Sequence, residues 1–137
     1  MLPDIYKELE LYADILPSSA VSPVHPFGGF VVNINVCTKI HRDVKDKDIC
    51  LVFVISQCSG GELALREPGI VLDLQDGDAI IFNSVRLSHL NLDYSGYRAS
   101  LVFHTDASSD GWVNGRNCWS HNVFMRTNES VGYSETL

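Results

Sequence analysis

His41 and Asp43 flank a single residue in the run KIHRDVKDKD, residues 39–48. In an extended segment, side chains at i and i+2 project to the same side, so an imidazole and a carboxylate at this spacing converge on one cation. The spacing alone is a weak signal. With five His and eleven Asp in the chain, one H-x-D by chance is unsurprising, and His104-Thr105-Asp106 is a second. A metal needs more ligands than two. Two His and one carboxylate on one face, with the other positions open, is the arrangement that non-haem Fe(II) uses. His89, in LSHLNL, is the candidate third ligand for the first pair. The second pair has only His121 after it, within an irregular tail. The expected metal set, and the expected catalytic set, is therefore His41, Asp43 and His89.

Arg98 and Ser100 come next, two apart in YRASLVFH. An arginine pointing into an apolar interior needs an anion, because an unpaired buried charge is very costly. Its planar fork matches a carboxylate in bidentate fashion. Ser100 on the same face adds a hydroxyl donor. Asn33 and Asn35 interrupt the apolar strand GFVVNINVC and share one face by alternation. Two amides there suggest a polar pocket wall that hydrogen-bonds a small molecule; a solvent-facing strand is the plainer alternative. His104 shares the register of Arg98 and Ser100, and either lines the pocket or caps the strand.

These residues need a frame. Ile5, Leu9, Tyr12 and Leu16 recur at helical spacing, which predicts one helix over 3–16, ended by Pro17. From residue 28 the pattern changes to short apolar runs: 29–37, 49–56, 61–65, 70–74, 79–82, 87–92 and 97–104. Ser59-Gly60-Gly61, Pro68-Gly69, Asp76-Gly77-Asp78 and Ser95-Gly96 punctuate them. Seven short strands with no helical pattern between them predict an all-β sandwich or barrel. Asn114-Gly115 reads as a turn. Trp112 and Trp119 are expected to fold back onto the barrel. The predicted division is one domain over 1–126, with its core at 29–106 and a polar, flexible tail at 127–137.

Composition narrows the class. Hydrophobic residues make up 45% and charged residues 20%, as in an ordinary soluble globule. No apolar run is long enough to span a membrane. The first residues, MLPDIYKELELY, lack the pattern of a signal peptide, so an intracellular location, cytoplasmic or nuclear, is expected. A piece of a longer protein is equally compatible with the length. The four cysteines show no C-x-x-C and read as buried, reduced thiols. A net charge of −7 leaves no basic footprint for a nucleic-acid backbone, and the lysines of residues 39–48 are interleaved with aspartates.

Taken in order, His41-Arg42-Asp43, Gly60-Gly61-Glu62-Leu63, Asp76-Gly77-Asp78-Ala79, His89 and Arg98-Ala99-Ser100 resemble the Fe(II)/2-oxoglutarate-dependent dioxygenase superfamily over residues 29–106. In texture the chain is most similar to the TET/JBP-like group and its uncharacterised mushroom-fungal relatives. The resemblance implies an all-β core that is a double-stranded β-helix, jelly-roll or cupin-like, behind a short N-terminal helix. It implies Fe(II) on His41, Asp43 and His89. It implies the co-substrate 2-oxoglutarate on Arg98 and Ser100, with Asn33 and Asn35 as further binding candidates and O2 as the oxidant. The acceptor it implies is a modified nucleobase such as 5-methylcytosine, with a protein side chain as the other candidate. The nucleic-acid partner comes from the resemblance and not from the charge. A jelly-roll module of cupin type that binds metal or ligand without catalysis is the alternative.

Overall fold

The computed structural model describes residues 2–14 and 22–115. The chain divides into two compact units, Met1–Ala107 and Ser108–Leu137. The boundary expected at residue 126 lies outside the described residues, as do Pro17, Cys118, Trp119, His121 and the tail.

The first unit opens with α1 (Leu2–Asp14), which places Asp4 in its first turn, where the helix dipole favours a negative charge. Leu9, from the predicted stripe, is its buried residue. Lys47 fastens the helix to the loop that follows Asp43. Its ammonium is 2.6 Å from the Tyr12 hydroxyl, 3.5 Å from Glu8 and 3.9 Å above the Tyr12 ring. Among the described residues no helix is long and apolar enough to cross a membrane.

Seven strands follow: β1 (Gly29–Ile34), β2 (Cys50–Gly60), β3 (Leu63–Leu65), β4 (Ile70–Leu72), β5 (Ala79–Phe82), β6 (His89–Asn91) and β7 (Tyr94–His104). They form two antiparallel sheets, ordered β1-β7-β2-β5 and β4-β3-β6. Each sheet turns one face toward the other, so side chains of period two point inward. On β7 these are Arg98, Ser100, Val102 and His104. The ladders set Asn33 beside Ser100, Val31 beside Val102, and Val52 beside Val102. The opposing sheet sets Leu63 beside Asn91 and Leu65 beside His89. Cys50, Leu63, Leu65 and Phe82 form the buried apolar cluster, with Val52, Leu72, Leu74, Ile80, Leu87 and Val102 packed on it. Cys50, Val52, Leu63, Leu74, Phe82 and Val102 of this cluster also form the apolar wall of a cavity between the sheets.

Three local expectations changed. The strand predicted to reach residue 37 stops at Ile34, because Asn35 takes a left-handed backbone (φ 51°). Asparagine tolerates that region better than most residues. Ser59-Gly60 and Ser95-Gly96 do not break strands: Gly60 pairs with Tyr94, and Gly96 with Cys58, inside the long β2–β7 ladder. Glycine here serves close backbone approach. Asn114-Gly115, read as a turn, closes α2 (Ser109–Gly115) in the second unit, and Trp112 lies in that helix.

The Gly96 contact makes a testable case. A Cβ at Gly96 would lie 2.6 Å from the Gln57 carbonyl oxygen and 3.1 Å from Cys58 Cα, at φ +112°. Backbone on both sides gives it no room. Gly96→Ala is expected to destabilise the fold by about 2 kcal/mol or more, measured by denaturant unfolding. A loss below about 0.5 kcal/mol would mean that this stretch is not held as tightly as described.

Candidate metal centre

Residues 38–49 lie outside the named strands, yet both ends of the His-x-Asp stretch are held. His41 and His89 form an isolated antiparallel bridge: His89 N–H donates to the His41 carbonyl at 2.9 Å, and His41 N–H donates back at 3.1 Å. Two residues on, Asp43 N–H donates to the Ser84 carbonyl at 3.0 Å. One short segment is thereby tied to β6 and to the turn after β5.

The side chains converge. His41 Nδ1 is 2.8 Å from the Lys39 carbonyl oxygen, and His89 Nδ1 is 3.0 Å from the Leu87 carbonyl oxygen. A carbonyl only accepts, so each Nδ1 carries a hydrogen, and in the neutral ring each Nε2 keeps a free lone pair; only the protonated ring can donate from Nε2 to Asp43. Both Nε2 atoms face Asp43, His41 at 3.5 Å from Oδ1 and His89 at 3.4 Å from Oδ2. The three ligand atoms lie within 4.8 Å of one another, so His41, Asp43 and His89 could hold a metal ion. A tautomer fixed by an outer carbonyl is the usual support for a metal-binding imidazole. Phe82 meets His89 edge-on at 5.0 Å between ring centroids and backs it with an apolar wall.

The electrostatics fit the same chemistry. The hydrogen bond from His89 holds the Asp43 carboxyl below its usual range, helped by the charges of His89, His41 and His104 and opposed by burial. Burial disfavours the His89 cation, but the Asp43 hydrogen bond and charge outweigh it and raise that imidazole above 6.5. Without metal, His89 therefore stabilises the fold at pH below 6.5, and this contribution is lost as pH rises through its raised value. Asp43 contributes above its ordinary 3.8 and loses that as pH falls through its lowered value. Metal binding has the opposite dependence on His89, because the proton and the ion compete for Nε2. Mn(II) affinity is expected to fall steadily as pH drops through the raised His89 value, by about tenfold per pH unit below it. Calorimetric titration across pH 5 to 8 checks this, and a flat profile would exclude His89 as a ligand.

The site opens into a cavity of about 310 Å³. His41, Asp43 and His89 line it, together with Arg98, Ser100 and Asn33 from the predicted set. Arg98 is only 6% exposed and Ser100 3%. The Arg98 guanidinium makes no hydrogen bond or ion pair with any described residue; the bonds of Arg98 run through its backbone. Gly61 makes room for its stem, since a Cβ there would lie 3.1 Å from Arg98 Cδ and Nε. A buried cation with no protein partner, facing a cavity, is a seat for an anion.

Asn35 is not brought to the cavity. Its N–H donates to the Arg98 carbonyl at 2.7 Å, and its side-chain Oδ1 accepts from Arg98 N–H at 3.0 Å. It holds the Arg98 backbone instead of facing a ligand.

Asp46 was missed as a site residue. In the sequence it is one of several charges in KDKD and looks solvated. In the fold a turn (Asp46 N–H to the Asp43 carbonyl, 2.9 Å) brings it back to the cavity. Its Oδ2 accepts from the Ser84 hydroxyl at 2.7 Å. Its Oδ1 is 3.1 Å from His104 Nδ1, an ion-pair distance at an angle outside hydrogen-bond geometry. Burial raises the Asp46 carboxyl, against the pull of Ser84 and His104. The spacing of three from Asp43 is the signal that could have found it. His104 lines the cavity, so the second His-x-Asp divides: its histidine faces inward while Thr105, 2% exposed, accepts from Gly28 N–H. Cys50 also lines the cavity, and burial pushes its thiol up to about 12, which keeps it protonated at neutral pH. Cys37, Cys50 and Cys58 are free thiols; among these three the burial expected from the sequence is found only at Cys50, since Cys37 is exposed and Cys58 half-buried.

Two facing antiparallel sheets, with the candidate metal centre and an inward arginine between them, make this a double-stranded β-helix. Among solved structures the fold matches NgTET1 in complex with 5mC DNA, with a TM-score of 0.66 and 18% identity over 75% of this chain. The chain spans 43% of that protein's length. An oxidoreductase of the 2OG-Fe(II) oxygenase family from Burkholderia pseudomallei aligns with a TM-score of 0.46 and 18% identity, over 56% of this chain and 44% of its own. No protein-family model matches the sequence, and no curated protein does. The likeness is thus one of fold.

Proposed function

We propose that the chain is a non-haem Fe(II)- and 2-oxoglutarate-dependent dioxygenase. One observation carries the reading. Three ligand atoms converge within 4.8 Å, and a buried guanidinium with no partner among the described residues lines the same cavity. A plain metal-binding cupin has no need of that cation.

His41, Asp43 and His89 hold the iron through Nε2, a carboxylate oxygen and Nε2. Bound iron with 2-oxoglutarate and O2 supplies the chemistry, in which the co-substrate becomes succinate and CO2 and the acceptor gains an oxygen atom. Arg98 binds the distal carboxylate of 2-oxoglutarate through its fork, and Ser100 donates its hydroxyl to the same group. Val52, Val102, Leu63 and Leu74 keep the cavity dry, which strengthens both interactions. Asn33, on the neighbouring strand, offers an amide to the bound acid or to the acceptor.

A modified nucleobase such as 5-methylcytosine is the acceptor that fits best. Asp46 retains lone pairs for an amino group, and His104 offers an imidazole beside it. A flipped-out base is read by hydrogen bonds of this kind along its edge. NgTET1 was solved with 5mC DNA. The net charge of −7 gives no general grip on DNA, so the recognition proposed is of the base and not of the backbone.

The test is turnover. Purified protein with Fe(II), 2-oxoglutarate and air is expected to release succinate, faster with single-stranded DNA containing 5-methylcytosine. If no succinate appears, with or without that DNA, and anaerobic titration shows no co-substrate binding, the chain is a non-catalytic metal- or ligand-binding module. Succinate release that a methylated peptide stimulates and the DNA does not would move the acceptor to a protein side chain.

A further inference from the structure

Arg42 sits between two metal-ligand candidates but does not line the cavity. Its side chain goes the other way. Nε donates to the Ser88 hydroxyl at 2.9 Å, and Nη2 donates to Glu67 Oε1 at 2.7 Å. Ser88 is the residue before His89. Glu67 in turn gathers Ser88: Oε2 accepts from Ser88 N–H at 2.6 Å, and Oε1 accepts from the Ser88 hydroxyl at 2.7 Å. The turn that carries Glu67 is itself pinned to this strand, with Arg66 N–H donating to the Ser88 carbonyl at 2.9 Å. Three segments distant in the chain therefore meet at one carboxylate. One carries His41 and Asp43, one carries His89, and the third is the β3–β4 turn.

We infer that Arg42, Glu67 and Ser88 form an outer clamp that sets the spacing between the His41–Asp43 segment and the His89 segment, and so tunes metal affinity from outside the cavity. This rests on the metal-site reading above. The His41–His89 bridge and the Asp43 N–H bond to the Ser84 carbonyl hold the segment through main-chain atoms on the cavity side. Neither ties it to the β3–β4 turn. The guanidinium adds a directional side-chain tether on the far side, which joins the segment to that turn and to Ser88. The Ser88 hydroxyl bond and the Arg42 contact hold the Glu67 carboxyl down to about 2, so the tether stays charged across the whole working pH range. As an exposed ion pair it adds little to global stability, since such pairs contribute weakly in water. Its effect falls on geometry, where outer partners of metal ligands change affinity by roughly 10–100-fold.

The experiment is a double-mutant cycle on the full chain with Mn(II) as probe, read by titration and by the electron paramagnetic resonance of the bound ion. Arg42→Ala and Glu67→Ala are each expected to weaken Mn(II) binding by roughly tenfold or more. The double variant is expected to be no weaker than about threefold below the worse single one, because both break one Arg42–Glu67–Ser88 network, of which Glu67→Ala alone retains the direct Arg42–Ser88 bond. The bound-ion spectrum should broaden or shift in the variants that still bind, and the thermal midpoint without metal should stay close to wild type. Arg42→Lys is expected not to restore affinity, because an ammonium cannot donate along both directions at once. Glu67→Gln guards against misfolding of the alanine variant and should also weaken Mn(II). Variants that bind Mn(II) within twofold of wild type, or losses that simply add, would overturn the clamp. Full rescue by Arg42→Lys would overturn it too, since charge alone would then suffice. If wild-type protein takes up no Mn(II), the metal-site reading itself falls and the clamp falls with it.

Discussion

Replacing His89 by alanine is expected to abolish stoichiometric Mn(II) binding while the protein remains folded. His89 is 8% exposed and supplies one of three converging ligand atoms. The remaining pair, His41 and Asp43, lies at the edge of the cavity with about a third of each side chain exposed (39% and 34%). Two ligands from one short segment give little chelation. The expected loss exceeds the roughly 10–100-fold that follows removal of an outer hydrogen-bond partner. The fold survives because the His41–His89 bridge runs through main-chain atoms, which alanine retains. Truncation does remove the edge contact with Phe82 and the ring contact with His41, at a cost of about 1–3 kcal/mol. Circular dichroism on the variant separates the two effects. A folded His89→Ala protein that binds Mn(II) as tightly as wild type would remove His89 from the site.

Arg98→Ala has the second large effect, and it falls on a different ligand. The guanidinium is the cation available for the distal carboxylate of 2-oxoglutarate. Charge-assisted hydrogen bonds contribute about 1.5–3 kcal/mol each. Losing a bidentate pair is therefore expected to weaken anaerobic 2-oxoglutarate binding by roughly 100-fold. Mn(II) binding without co-substrate should stay within about threefold of wild type, because Arg98 lies on β7 of one sheet, His89 on β6 of the other, and His41 and Asp43 outside the strands. Stability provides a further readout. Arg98 is buried with no acceptor on its guanidinium among the described residues, and replacing an unpaired buried charge by an apolar group is neutral or stabilising. Arg98→Met should thus melt no lower than wild type while losing the co-substrate. Equal loss of metal and co-substrate would place the defect in folding and detach Arg98 from the proposed role.

The amino-acid order by itself determined a good deal. Alternating apolar runs between glycines specify strands, because side chains of period two bury one face of a sheet. The inward register of Arg98, Ser100 and His104 follows from that alternation alone, and the cavity lining agrees. Other features depended on contacts between distant segments. Strand breaks were placed at Ser59-Gly60 and Ser95-Gly96, yet Gly60 and Gly96 lie opposite Tyr94 and Cys58 within one ladder. A glycine required for close approach and a glycine required for a turn look identical in a sequence. Asn35 appeared to share a face with Asn33, but its left-handed backbone turned it away to hold Arg98. Alternation cannot register a single residue that changes its backbone region. Asp46 looked like one solvated charge among several and became a cavity residue only when the turn after Asp43 folded back. The link of Arg42 through Glu67 to Ser88 was invisible for the same reason. Local pattern reports the conformation of a segment and the face it buries. Which segments then meet depends on how two sheets pack, and only the tertiary structure decides that.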